Sequence, residues 1–305
     1  MVEVVILGGT GFLGRHLCEA FTRAGHGATV ISHHPDYHFV EQQGGGLRAL
    51  ELGTGEAFEA LDTADCVLHF GHQSKPASNQ NAEVLEITQN VEPALQLLSR
   101  LAAAGRRPHV VYASSGGQIY GGGHASPVTE AGPERPVTPY ALGKQMVENA
   151  LRYHARNRNM DVSIFRLANP VGTWQFGGRH GFVSAAVEAT MRGRDLTLFG
   201  PGKNVRDYFD ADEFSDFLVA RVLERRLGSG IYNIGRGQGF TEREVLDFVG
   251  QVVGRAPSVI EKPGRAFDLP YSVLSIEKAA QELGWSPQVD LPHTITKLKA
   301  ALTTA

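Results

Sequence analysis

Leu7-Gly8-Gly9-Thr10-Gly11-Phe12-Leu13-Gly14 follows directly on the strand-like Val2-Glu3-Val4-Val5-Ile6 and opens a helical pattern near 12–24. A strand, a glycine-rich turn and a helix in that order form a cradle for a pyrophosphate. Glycines permit the tight turn, the close approach of backbone to phosphate and the close packing of helix on strand, and a helix N-terminus favours negative charge. The stretch therefore predicts dinucleotide binding, with Gly8, Gly11, Phe12, Leu13 and Gly14 lining the turn. The second strand ends Ile31-Ser32-His33-His34. A carboxylate at this place normally holds the adenosine ribose of NAD. No acid stands at that end, so nothing there repels the extra phosphate of NADP. NAD is the expected cofactor, with NADP left open and Ser32 and His33 placed at the ribose. No fixed element sets the geometry of His33, His34 and His38, and no metal site is expected there.

Outward from the loop, short apolar runs alternate with helical patterns. Val4 to Leu7, Ala28 to Ser32, Cys66 to Phe70, Val110 to Ser114 and Val162 to Leu167 read as buried strands, with helices near 12–24, 83–104 and 139–157. This rhythm predicts an α/β fold, a Rossmann-type doubly wound parallel sheet. After Asn169-Pro170 the rhythm changes to a helix near 181–192, the strand Leu196–Phe199, a helix near 212–226, the strand Ile231–Ile234 and a helix near 241–253. The expected organisation is a dinucleotide-binding domain over 1–170, rejoined by about 207–235, and a smaller α+β substrate domain over 171–206 and 236–305.

Composition narrows the partners. A net charge of −3 gives no basic field to attract nucleic acid or an anionic membrane, and the chain of 305 residues holds no apolar run long enough to span a bilayer. Cys18 and Cys66 are isolated and lack redox or metal spacing. With a strand at its very start and reduced thiols, the chain reads as cytoplasmic, without a leader, and suited to a small phosphorylated ligand.

Thr138-Pro139-Tyr140-Ala141-Leu142-Gly143-Lys144 begins a helix, with Thr138 a good N-cap and Pro139 favoured at its first position. Tyr140 and Lys144 are four apart and share a face. A nearby ammonium stabilises a phenolate, so the pair predicts a tyrosine general base.

Taken together, the glycine loop, Cys66-Val67-Leu68-His69-Phe70-Gly71, Asn90-Val91, Ser114-Ser115-Gly116-Gly117-Gln118-Ile119-Tyr120-Gly121, the Tyr140–Lys144 helix, Arg166-Leu167-Ala168-Asn169-Pro170-Val171-Gly172, Val205-Arg206-Asp207-Tyr208, Arg265-Ala266-Phe267-Asp268-Leu269-Pro270 and Leu283-Gly284-Trp285-Ser286-Pro287 form an ordered series over nearly the whole chain. In this the chain resembles the extended short-chain dehydrogenase/reductases, the NAD-dependent epimerase/dehydratase family, and within it the nucleotide-sugar branch typified by UDP-glucose 4-epimerase. The resemblance implies that Tyr140 is the catalytic base and that Lys144 binds the nicotinamide ribose and tunes the tyrosine. It places Phe70, Gly71, Asn90 and Pro170 at the cofactor and Asn169, Leu198 and Phe199 at the substrate. It also implies that Arg206 and Arg265 grip the diphosphate and Asp268 the uridine ribose, and arginine forks do suit phosphate oxygens. In similar proteins the helices corresponding to 83–104 and 139–157 form a four-helix dimer interface, so a homodimer is expected.

The same series departs from the family at one place. Similar epimerases carry a Ser or Thr four residues before the tyrosine of this segment, where Gly116 stands before Tyr120. The expectation is that Ser115, or a water, supplies the hydroxyl. Related 4,6-dehydratases follow their hydroxyl with an Asp-Glu pair, whereas Gly117 and Gln118 cannot ionise, which speaks against dehydration. The function expected is 4-epimerisation of a UDP-hexose by transient oxidation at C4. Two alternatives stand beside it: an NADPH-consuming reductase of nucleotide 4-ketohexoses, and a catalytically weak dinucleotide-binding sensor. Sugar identity is expected to rest on the loop 172–182.

Overall fold

The structure is a computed structural model and describes residues 2–75, 82–103, 107–175, 181–265 and 267–304. Residues 176–180 of the loop expected to read the sugar, and Ala266 of the Arg265–Pro270 motif, lie outside them.

In chain order the first elements are β1 (Val4–Leu7), α1 (Phe12–Arg23), β2 (Thr29–Ser32), α2 (Tyr37–Gln43), β3 (Arg48–Glu51), α3 (Gly55–Thr63) and β4 (Cys66–His69). Next come α4 (Glu83–Glu86), one π-helical turn over Ile87–Val91, α5 (Glu92–Ala103), β5 (His109–Ser115), α6 (Gly116–Ile119), α7 (Pro139–Arg158), β6 (Val162–Leu167) and β7 (Asn169–Val171). The chain continues through α8 (Phe182–Met191), β8 (Leu196–Phe199), β9 (Val205–Asp210), α9 (Ala211–Leu223), β10 (Gly230–Ile234), β11 (Gly239–Thr241) and α10 (Glu242–Val253), and ends with β12 (Val259–Lys262), β13 (Tyr271–Ser272), α11 (Glu277–Leu283) and α12 (Leu291–Thr304).

Contacts divide the chain into two compact units. The first comprises 1–119, 136–166 and 215–232, and the second 120–135, 167–214 and 233–305. The first is built on a seven-stranded sheet of order β10-β6-β5-β4-β1-β2-β3, a doubly wound, Rossmann-type parallel sheet. Its strands are nearly continuous in buried apolar residues, as a sheet covered on both faces requires. Val5, Ile31, Val67, Val110 and Ile164 from the sheet meet Leu98 and Leu101 of α5 and Val147 and Leu151 of α7 in one core. The order places the C-terminal end of β1, which runs into the glycine loop, beside the ends of β2 and β4. Open sheets of this kind bind ligands at such a crevice.

The second unit holds a four-stranded sheet, β11-β9-β13 with β7 also on β9, and the parallel pair β12-β8. Val183 and Val187 of α8, Val245 and Val249 of α10 and Ile295 and Leu298 of α12 fill its core. The region 207–235 does not return whole to the main sheet. Its strand β10 does, at the edge beside β6, whereas Val205–Asp210 pairs within the small sheet. The expected helix over 83–104 is likewise interrupted, by the π turn at Ile87–Val91.

Candidate active site

In the first unit the glycine loop has the shape its composition calls for. Gly8 sits at φ +79°, and a Cβ on it would come within 2.5 Å of the Gly71 Cα. A Cβ on Gly14 would run into the backbone of Gly8 and Gly9. Gly11 is the N-cap of α1 and supplies no side-chain cap, so no side chain takes the leading N–H groups of the helix that Phe12 and Leu13 begin. A backbone cradle that any Cβ would fill, at an uncapped helix start, fits the pyrophosphate of a dinucleotide.

Around this turn, the Phe70 N–H donates to the Leu7 carbonyl at 2.9 Å, and the Thr10 hydroxyl donates to Ser32 Oγ at 3.0 Å. His33 is exposed, with Nε2 3.3 Å from Gln73 Nε2. The first acid beyond β2 is Asp36, and both its oxygens are engaged. Oδ1 accepts from the Phe39 N–H at 3.0 Å and Oδ2 from Arg15 at 2.6 Å. Asn90 lies in the π turn, its Oδ1 accepting from the Gln73 N–H at 2.8 Å while its buried Nδ2 has no hydrogen-bond partner among the described residues.

The structure brings Ser115, Tyr140 and Lys144 together. β5 ends at Ser115 and Gly116 opens α6, so the last side chain of the strand is the serine, which hydrogen-bonds the Tyr140 hydroxyl. Thr138 caps α7 by accepting from the Ala141 N–H at 3.2 Å, and Pro139 follows at the helix start. Lys144 is buried, donates to the Ala113 carbonyl at 2.7 Å and lies 5.7 Å from the centre of the Tyr140 ring. Burial is the dominant electrostatic fact here. It pushes the Lys144 ammonium down to about 7, against the opposing pull of Glu86 and Glu148. Tyr140 as a residue is half-buried, yet the protein packed around its hydroxyl pushes it up to about 12, against the Ser115 hydrogen bond. Tyr140 thus stands above its ordinary value because the phenol is desolvated.

Two neighbourhoods escaped the sequence reading. Glu86, 4% exposed, pairs with His72 at 3.0 Å and accepts from the Ser74 hydroxyl. The His72 ring stands edge-on to Tyr140 with centroids 5.0 Å apart. Beneath Lys144, the fully buried Glu148 accepts from Arg166 at 2.7 Å and from Ser114 at 2.5 Å. The signal for the first was Gly143, since a glycine inside a helix invites the question of what approaches it.

In the second unit the expected anchors form their own cluster. Arg265 forks onto Asp268 with two bonds of 2.8 Å, its guanidinium 4.2 Å from the Phe199 ring centre and 4.8 Å from that of Phe267. The two residues are together, but each holds the other. Arg206 donates from Nη1 to the Val205 carbonyl at 2.9 Å, and its charge interacts with Glu242, Asp268 and Arg265. Asn169 donates to the Asp207 carbonyl at 2.8 Å. Pro170 lies in β7, half-buried, and Leu198 is wholly buried, leaving its backbone as the part that could meet a ligand. Glu242 and Phe267 were not foreseen.

Residues 4–235 match the NAD dependent epimerase/dehydratase family. The chain is 29% identical to a UDP-glucose 4-epimerase of Mycolicibacterium smegmatis over 97% of each protein. Among solved structures it is similar to the UDP-glucose 4-epimerase of Thermus thermophilus in complex with NAD, at TM-score 0.88 and 28% identity over 100% of both chains. It is also similar to that of Thermotoga maritima with UDP-glucose, at TM-score 0.88 and 26% identity over 99% of both.

Proposed function

The chain belongs to the NAD dependent epimerase/dehydratase family, and on that footing we propose that it is a UDP-hexose 4-epimerase working by transient oxidation at C4. The observation that carries this reading is the hydrogen bond between Ser115 and Tyr140 beside the buried Lys144. It supports a serine hydroxyl acting beside Tyr140 although the family position holds Gly116. Absence of an ionisable side chain at Gly117 and Gln118 removes the acid that loss of water would need.

NAD is the cofactor, and when bound it supplies a hydride acceptor for C4 and a positively charged ring. The residues that would hold it are the glycine loop with Phe12 and Leu13, Ser32 and His33, Phe70, Gly71, Asn90, Tyr140, Lys144 and Pro170. Tyr140 Oη accepts the proton of the sugar 4-hydroxyl and later returns it, while Ser115 Oγ keeps that oxygen aligned. A phenol that burial holds near 12 needs added positive charge to ionise at neutral pH. Protonated Lys144 contributes part of that charge. The first unit thus acts as the dinucleotide domain and the second as the substrate domain. There Arg206 and Arg265 meet the diphosphate, Asp268 the ribose, and Asn169, Leu198 and Phe199 complete the set. Arg265 exchanges its carboxylate partner for phosphate oxygens, a like-for-like replacement for a planar fork.

Among the described residues no helix is long and apolar enough to cross a membrane. The assembly we propose is a homodimer through α5 and α7.

A second reading, an NADPH-consuming reductase of nucleotide 4-ketohexoses, draws on Asp36, the first acid after β2, both of whose oxygens are already bonded within the protein. One experiment separates the two. Purified protein without added cofactor is given UDP-galactose or UDP-N-acetylgalactosamine, and the anomeric protons are followed by NMR. Conversion to the 4-epimer is the expected outcome. No conversion even with NAD supplied, together with stoichiometric NADPH consumption on a 4-keto sugar, gives the second reading the place of the first.

A further inference from the structure

The catalytic tyrosine and lysine share their surroundings with an acid that neither the resemblance nor the family assigns. Glu86 ends the short helix α4, and its neighbours Val84, Leu85 and Ile87 all point outward. Its own side chain turns in and is 4% exposed. Two contacts and a space keep it there. His72 Nε2 is 3.0 Å from Oε1, the Ser74 hydroxyl donates to Oε2, and Gly143 of α7 leaves the room, since a Cβ at that position would collide with the carboxylate. Gly143 directly precedes Lys144, and His72 packs edge-on against Tyr140. The loop carrying His72 and Ser74 is in turn pinned by the Gln73 N–H on Asn90 Oδ1 at 2.8 Å. A buried carboxylate costs stability unless it is held this way, and a glycine inside a helix costs stability as well. Two costs are thus incurred to bring one charge to one spot.

We propose that Glu86 is a positioning residue of the active site, whose charge, held by His72 and Ser74 against Gly143, keeps Lys144 protonated and so ready to stabilise the Tyr140 phenolate.

The titratable groups around this charge are His72 and His69 from the β4 end, Tyr112 of β5, and Tyr140, Lys144 and Glu148 of α7. His69 and His72 are driven down by burial, to about 3 and about 4, so both are neutral at working pH and do not cancel the carboxylate. Glu148 is bound to Arg166 and is largely compensated. Glu86 therefore supplies the negative charge that offsets the desolvation of Lys144. The same charge also opposes ionisation of Tyr140. Removing it moves both groups to lower pH.

The inference rests on the epimerase reading for its consequence, not for its test. Protein labelled with ¹³C at lysine Cε is titrated by NMR, the Lys144 signal being assigned by its loss in Lys144→Met. In Glu86→Gln the Lys144 midpoint is expected to fall by roughly one pH unit. Glu86→Met, apolar and of similar length, removes the same charge and is read the same way should the amide variant fail to fold. In turnover, both limbs of the kcat profile move to lower pH while KM stays within a few-fold. A Lys144 midpoint that stays in place, or rises, in a folded variant overturns the proposal. Absence of turnover in the unmodified protein strikes the epimerase reading and leaves the lysine titration readable.

Discussion

At Ser115 the strand β5 ends one residue before the place where similar epimerases carry their hydroxyl, and the interaction of Ser115 with Tyr140 supports the serine as its replacement. If Ser115 aligns the sugar oxygen, Ser115→Ala lowers kcat by about 10²–10³-fold with KM changed little, because the lost bond strengthens in the transition state. Steady-state kinetics with a UDP-hexose checks it, and a change confined to KM assigns the serine to binding instead. Lys144 supports a second prediction, with its sign set by burial. Its folded pKa of about 7 lies below the ordinary lysine value near 10.4. The folded protein therefore bears the cost of a buried charge in full below pH 7, and the cost disappears as pH rises toward 10. Lys144→Met is expected to raise stability by roughly 2 kcal/mol at pH 6 and by progressively less at higher pH, while abolishing turnover. Denaturant melts at a series of pH values measure this directly.

The elements legible in the sequence were those whose chemistry is local. β1 appears as an unbroken apolar run, β6 as a buried run broken only by Ser163 and Arg166, and α7 announces itself through Thr138 and Pro139. β3 was illegible because it is an edge strand with charged ends, Arg48 and Glu51, and only Leu50 buried. β9 was illegible because Arg206 and Asp207 make it look like a loop. The carboxylate of Asp207 is in fact buried and accepts the N–H groups of Arg236 and Gly237 at 2.7 and 3.1 Å. The π turn at Ile87–Val91 has no sequence signature of its own, and Glu86, distant in sequence from Tyr140, could not be placed in the site by spacing. Tyr140, Lys144 and the glycine loop could be placed, because each is a short motif on one element. The pair that links two of these elements, Glu148 of α7 and Arg166 of β6, is fully buried on both sides. Removing one partner leaves an uncompensated buried charge. Glu148→Gln or Arg166→Met should therefore cost about 3–5 kcal/mol in urea unfolding. The double variant Glu148→Leu, Arg166→Met should recover most of that loss, since an apolar pair of similar volume carries no desolvation cost.

For the molecule as a whole, the same helices that carry the proposed site also carry several of its exposed apolar side chains. Val84, Leu85, Ile87 and Leu95 stand out along α4, the π turn and α5, with Val84 73% exposed, and Leu142 and Tyr153 stand out along α7. Isolated exposed apolar residues need no explanation, but six on helices that pack on one another are the face we assign to the proposed homodimer. A two-fold contact uses such a face twice. At about 1 kcal/mol for completing the burial of each half-exposed side chain, twelve of them yield about 12 kcal/mol, which lies within the range of roughly 4–15 kcal/mol that association costs. The homodimer we propose therefore draws on this face for a gain of the same order as the cost of association, and is expected to depend on concentration and to be sensitive to any charge placed in the face. Light scattering at micromolar protein should give twice the chain mass, and Val84→Asp with Leu95→Asp should give the chain mass itself. Because α4 and the start of the π turn set Val84, Leu85 and Ile87 outward and Glu86 inward, freeing the outer face loosens the seat of the carboxylate. The monomeric variant should accordingly lose kcat more than it gains in KM, with its Lys144 titration moved in the same direction as in Glu86→Gln. A monomer with undiminished kcat would separate the interface from the site.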